Sequence, residues 1–192
     1  MSNKTYRPHF TSTTDARVLR TREALRQAIY SLLATKPLDQ ITIPEITKLA
    51  GIGRTSFFRH YPSKEALLEE VAIGEIRQLV AKTLPQTEID DPREVSLALF
   101  TYVAKNKKQW RALLEGGAAS TMNEEFIRIA HNVSKITKTR SAWLPPEAGI
   151  VIVVSSTIEL IAWWLRQKRP LSVDKIATVY ERAVLAPIYV EY

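Results

Sequence analysis

The sequence predicts an all-α protein of about nine helices, on three observations. Apolar residues recur at helical spacing along most of the chain. Caps, glycines and prolines fall between those periodic segments. The one β-branched run, IVIVV at 150–154, has no second strand candidate to pair with, so it too is assigned to a helix.

The first helix starts at residue 15, where Val18, Leu25, Ile29 and Leu32 take up helical spacing and Ala28 and Leu33 widen the stripe. Lys36-Pro37 ends it. Thr42 and Glu45, three residues apart, form a capping box for a second helix whose buried stripe is Ile43, Ile46 and Leu49. Gly51 stands where that helix needs a left-handed residue, and Gly53 opens a third helix over 54–61. Pro62 breaks the chain, and Ser63 caps a fourth helix with its apolar face at Leu67, Leu68, Val71, Ile76 and Leu79.

Residues 84–92 read as a loop. A fifth helix covers 93–105, a short sixth covers 108–114 before Gly116-Gly117, and a seventh runs from 122 to 138. Pro145 opens an eighth helix that Arg169-Pro170 stops. Ser172 begins a ninth, striped by Val173, Ile176, Ala177, Tyr180, Val184 and Ile188. The domain reading is a polar arm over 1–14, a helix–turn–helix head over 15–64, a linking helix over 64–83 and a body over 84–192.

Charge is unevenly placed. Residues 1–64 hold eleven Lys or Arg against four Asp or Glu, and residues 65–192 hold sixteen of each, so the whole surplus of +7 lies in the first third. A basic segment on a neutral body points to an anionic partner, either nucleic acid or an anionic membrane surface. The first fifteen residues lack the apolar core of a secretory signal. The apolar stretch 148–165 approaches membrane-span length, but Glu159 sits in its middle, so a buried core helix is expected, with no membrane partner and a cytoplasmic location.

There is no cysteine, so disulfides and thiolate metal sites are excluded. The three histidines show no paired metal spacing, and no G-x-S-x-G or Walker sequence occurs. No nucleophile, base or metal set converges, so catalysis and cofactors are not expected.

Gly51-Ile52-Gly53 reads as the corner between two helices, because a phosphate loop needs a preceding strand and more glycines. In a helix–turn–helix the second helix enters the major groove with its first residues on base edges. Here those residues are Arg54, Thr55 and Ser56. Arg suits guanine O6 and N7, and the hydroxyls donate, accept or touch a thymine methyl. Arg59, His60 and Lys64 follow where the phosphate backbone passes.

Residues 15–72 resemble the DNA-binding domain of the TetR family of bacterial transcriptional regulators. The likeness is carried by ITIPEITKLAGIGRTSFFRHYPSKEAL, residues 41–67, which runs from a Thr-capped helix through A-G to P-S-K-E-A-L. The resemblance implies a homodimer with a ligand-binding helical body, most simply a ligand-responsive repressor on a palindromic operator. By the same resemblance Thr42 and Pro44 lie against the DNA backbone or nearby bases. Arg54, Thr55 and Ser56 face bases or adjacent phosphates, His60 and Lys64 meet phosphates, and Phe57 and Tyr61 pack inside the head. Phe58 stands where the family often has Tyr, which removes a phosphate hydrogen bond and leaves an apolar group for a thymine methyl. The alternative is an architectural DNA-binding or protein-interaction module of the same fold, without small-molecule sensing.

Outside the motif the readings stay open. Arg17, Arg20 and Arg22 either touch DNA or form the solvated face of the first helix. Lys4 and Arg7 either enter a minor groove or remain a solvated tail. In the body, Trp110, Ser156, Glu159 and Trp163 are candidate ligand-pocket residues, against ordinary packing or, for Glu159, an ion pair or an exposed edge. The effector is unknown. Trp164, Ile176, Tyr180 and Val184 are candidate dimer-face residues on the eighth and ninth helices, though the same stripe equally covers a protomer core.

Overall fold

The computed structural model describes residues 16–83, 91–134 and 144–189. The polar arm, most of the loop after the linking helix, residues 135–138 of the seventh helix and Trp143 lie outside these. Among the described residues the regular structure is helical with no strand, and IVIVV is part of a helix. The chain divides into two compact units, Met1–Val71 and Ala72–Tyr192.

In the first unit, α1 (Ala16–Leu33) leads through a 3₁₀ turn (Leu38–Gln40) to α2 (Ile43–Ala50) and α3 (Arg54–His60), and α4 (Lys64–Thr83) begins. Leu25, Ile29, Ile41, Ile46, Phe57 and Leu67 are completely buried and form its core. The local signals act as their chemistry requires. Thr42 takes the Glu45 amide while the Glu45 carboxylate takes the Thr42 amide at 2.9 Å. Gly51 is left-handed at φ 66°, and the Ile52 amide turns back onto the Thr47 carbonyl at 3.0 Å. A residue with a Cβ is strained there. The Ser63 hydroxyl accepts the Ala66 amide at 3.1 Å and caps α4.

Lys36 joins the end of α1 to the start of α2 by donating to Glu45 at 2.6 Å. That bond, with two more from Thr42, holds the Glu45 carboxyl at about 2, below its ordinary 4.5. A depressed carboxylate stabilises the fold fully above its ordinary pKa, and the contribution disappears as pH falls through the folded value. The melting temperature of the wild-type protein should therefore fall more steeply between pH 4.5 and 2 than that of Glu45→Gln. Circular dichroism melts at several pH values would read this, and parallel curves would refute it.

The second unit holds the rest of α4, then α5 (Pro92–Lys105), α6 (Lys107–Glu115), α7 (Ala119–Ser134), α8 (Pro146–Arg166) and α9 (Val173–Tyr180). A π-helical turn (Glu181–Leu185) and α10 (Ala186–Tyr189) follow. The π turn was not legible in the hydrophobic stripe. Its position has a cause: Pro187 lacks an amide and its ring crowds the carbonyl four residues back, and a wider turn relieves both. Helix α7 starts at Ala119, earlier than the periodicity suggests, because Gly117 at φ 94° reverses the chain at once and Met122 bonds back to Ala118 at 2.9 Å. Glu125 of α7 ties α4 into this unit, accepting from Arg77 at 2.8 Å and from its neighbour Arg128 at 2.6 and 2.7 Å. The buried Glu75 of α4 accepts the Tyr102 hydroxyl of α5 at 2.9 Å.

The aromatic core corrects the sequence reading. Phe100 meets Trp164 and Tyr180 edge-on at 5.5 and 5.6 Å, and Tyr180 shares a 2.8 Å hydrogen bond with Thr157 of α8. The Trp164 indole donates to the Leu171 carbonyl at 2.8 Å. Trp164, Ile176, Tyr180 and Val184 are all buried within one protomer. All four candidate dimer-face residues therefore belong to the protomer core. Apolar side chains also stand outside on the same helices: Val151, Ile152 and Trp163 on α8 and Val179 on α9 are 41–47% exposed.

Candidate nucleic-acid interface

The α2–Gly51–α3 corner fixes which side chains face outward. Phe57 is completely buried and Tyr61 is 4% exposed, so one face of α3 is locked into the head core. Arg54, Thr55, Phe58 and Arg59 are left exposed on the other, with Ser56 half-buried beside them. The Arg54 guanidinium lies over the Phe58 ring at 5.7 Å, and Phe58 meets Phe57 edge-on at 5.4 Å. Pro44 is exposed at the start of α2, and Lys48 is exposed in its last turn. The motif reading passes over Lys48, although a cation one helical turn before the glycine corner was there to be noticed.

Two of the sequence-named residues are already engaged inside the head. Lys64 was expected to meet a phosphate. Its ammonium instead donates to the carbonyls of Leu38 at 2.7 Å, Asp39 at 3.1 Å and Ile41 at 2.7 Å. These three bonds use its three protons and close the end of the 3₁₀ turn. Thr42 likewise commits both its amide and its hydroxyl to Glu45, at 2.9 and 2.8 Å.

His60 is half-buried. Burial first, then the Arg22 guanidinium, and to a lesser degree Arg59, push its pKa below the ordinary 6.5, while Glu70 works in the opposite direction. The shift favours the neutral imidazole, whose ring still offers an N–H donor. Glu70 also accepts the Tyr61 hydroxyl at 2.8 Å and lies 3.8 Å from Arg22, so Arg22 faces a carboxylate of α4. Burial and this hydrogen bond raise the Tyr61 pKa. Arg17 and Arg20 remain on the exposed side of α1.

The four pocket candidates of the body are not gathered into one site. Trp110 is completely buried, Ser156 is half-buried, and Trp163 is 44% exposed. Glu159 is exposed and lines a shallow groove of about 170 Å³ with Arg111, Glu115, Arg166, Leu114, Ala119, Ala162 and Leu165. Trp110, Ser156 and Trp163 are not part of that groove. Among the described residues the Trp110 indole N–H is buried without an acceptor. No group of three or more His, Cys, Asp or Glu among those residues could hold a metal ion.

A buried aromatic face, a left-handed glycine corner and an outward row of cations and hydroxyls define a helix–turn–helix DNA-binding head. The same chain carries a separate helical body. Residues 25–71 of the head match the family model described as bacterial regulatory proteins, tetR family. A curated relative, the uncharacterized HTH-type transcriptional regulator YxbF of Bacillus subtilis, is 40% identical over 85 residues. That match takes in 43% of this chain and 21% of YxbF, so the chain spans about a fifth of that relative's length.

The fold of the whole chain is similar to solved TetR-type structures. A TetR transcriptional regulator from Streptococcus agalactiae superposes with a TM-score of 0.66 at 24% identity, covering 88% of this chain and 96% of that one. NalD, the secondary repressor of the MexAB-OprM multidrug efflux pump in Pseudomonas aeruginosa, superposes at 0.65 and 16% identity, covering 91% and 100%.

Proposed function

We infer that the chain is a sequence-specific DNA-binding transcriptional regulator that works as a homodimer on a palindromic site, and that it is a repressor relieved by a small molecule. The observation that carries this reading is the outward row Arg54, Thr55, Phe58 and Arg59 on a helix whose opposite face is anchored by Phe57 and Tyr61. The anchor sets the direction of the row, and the row supplies a guanine-reading fork, a hydroxyl, an apolar group and a phosphate cation. The surplus charge of residues 1–64 supplies the long-range attraction to the duplex. The DNA-facing set is Pro44, Lys48, Arg54, Thr55, Ser56, Phe58, Arg59 and His60.

The dimer contact falls to the outward apolar faces of α8 and α9, whose inner faces are spent on the protomer core. Two heads would then read half-sites about 34–36 Å apart, or a multiple of that. The buried Trp110 indole favours the effector reading, because an acceptor on a small molecule entering the body would satisfy it. Helix α4 is shared by both units, so it is the element through which an effector bound to the body can bias the head.

Selection of random duplexes at physiological salt tests this reading. An enriched palindrome is the expected result. Arg54→Ala should then lose about 1–3 kcal/mol of discrimination at one base pair and little elsewhere. Binding with no enriched sequence and a steep loss with salt would leave the architectural alternative.

A further inference from the structure

We propose that Arg54 and Phe58 act as one stacked unit that reads a two-base-pair step, guanine beside thymine, with Phe58 selecting the thymine by its 5-methyl group. The proposal rests on the DNA-binding reading above and names what the exposed edge of α3 recognises.

Arg54 and Phe58 are one helical turn apart and therefore lie one above the other on the same face. The Arg54 guanidinium rests over the Phe58 ring at 5.7 Å. The ring is itself braced: Phe57, completely buried, meets it at 5.4 Å with the planes at 86°. A core residue thus holds the ring, and the ring holds the guanidinium. A guanidinium with one face on an aromatic ring keeps its N–H donors in its own plane. That plane can fork onto guanine O6 and N7.

Phe58 remains 37% exposed in the middle of a polar, cationic row. A phenyl ring has no group for a phosphate, and in the major groove the apolar feature a base offers is the thymine methyl. Successive bases on a strand are about 3.4 Å apart. The guanidinium and the ring, 5.7 Å apart, are separated by more than one base spacing and so address different base pairs of a step. Two consequences follow: methyl recognition depends on Phe58, and guanine recognition by Arg54 depends partly on Phe58 as well.

The test uses the full chain and a duplex enriched by selection. Its probes replace each thymine flanking the recognised guanine with deoxyuridine, which removes the methyl group alone. Binding is followed by fluorescence anisotropy at fixed salt. Removing the methyl should weaken the wild type about fourfold, the effect of one buried methyl-sized group. Phe58→Ala should show no such penalty, and its preference for guanine should drop about two- to fivefold as the stacking is lost. Thermal melts and affinity for a non-specific duplex separate these effects from unfolding, and the wild-type comparison stands without any variant.

An enriched sequence without a guanine–thymine step, or wild-type binding indifferent to deoxyuridine at both flanks, overturns the proposal and leaves the regulator reading intact. A Phe58→Ala variant that keeps the full penalty also overturns it. No enriched sequence at all overturns the regulator reading, and the proposal falls with it.

Discussion

If the proposed homodimer forms through α8 and α9, Ile152→Glu combined with Val179→Glu is expected to leave the protein monomeric and lower affinity for a two-half-site duplex by about 10²–10⁴-fold. Both side chains lie on outward faces, at 46% and 41% exposure, so a carboxylate there disturbs no protomer packing. In a dimer the same positions would place four carboxylates in an apolar contact, where an unpaired charge is costly. The loss in affinity comes from losing the tether between two heads, since neither position is near α3 in the chain and the head sequence is untouched. Sedimentation velocity would read the mass, and titration of a full site against a half-site would read the tether. A variant that stays dimeric would place the contact elsewhere. The contrasting substitution is Tyr180→Phe. It removes the 2.8 Å bond to Thr157 inside the protomer and should cost about 1 kcal/mol of stability without changing the oligomer.

The second large effect is expected at Lys64. Lys64→Met keeps much of the apolar stem and removes the ammonium, which leaves the Asp39 and Ile41 carbonyls without that donor and the Leu38 carbonyl with the Ile41 amide alone. Water can replace part of what is lost at a half-buried site, so the expected destabilisation of the head is about 2–3 kcal/mol. Once folded, the variant should bind DNA with an unchanged salt dependence. Arg59→Met should do the reverse, leaving the melt nearly unchanged and reducing the slope of log affinity against log salt by about 0.9, the release of one counterion. The pair of slopes decides between the two roles. A slope that falls with Lys64→Met would return that lysine to the phosphate backbone.

Much of the head was legible because its signals are local. A capping box needs residues three apart, and Thr42 and Glu45 are bonded reciprocally. A left-handed C-terminal residue favours glycine, and Gly51 is one. The caps at Ser63 and Ser172 follow the same rule, each hydroxyl accepting the amide three residues on, at 3.1 and 3.4 Å. The placement of Arg54 and Thr55 outside and Phe57 inside follows from helix geometry once the helix starts at residue 54.

Lys64 was not legible in this way. Its partners lie 23–26 residues earlier in the chain, and a lysine after Pro62-Ser63 looks the same in sequence whether it faces a phosphate or a carbonyl. The lowered pKa of His60 was hidden for a similar reason. It comes from burial and from Arg22 of α1, against the opposing charge of Glu70 on α4.

The sequence by itself determined the helices of the head, their caps, the glycine corner and the head's likeness to a known family, because each depends on residues a few positions apart. Only the tertiary structure decided which face of α8 and α9 points inward. Helix α8 is apolar on nearly every side, so its periodicity holds no preference between Trp163 and Trp164 or between Ile152 and Val154. The choice was made by shape and partners: the Phe100 ring and the Leu171 carbonyl accept Trp164, and Trp163 is left on the outside. Hydrophobic patterning distinguishes inside from outside only where the two faces differ in polarity. Where both are apolar, packing complementarity decides, and that depends on side chains brought together from distant parts of the chain.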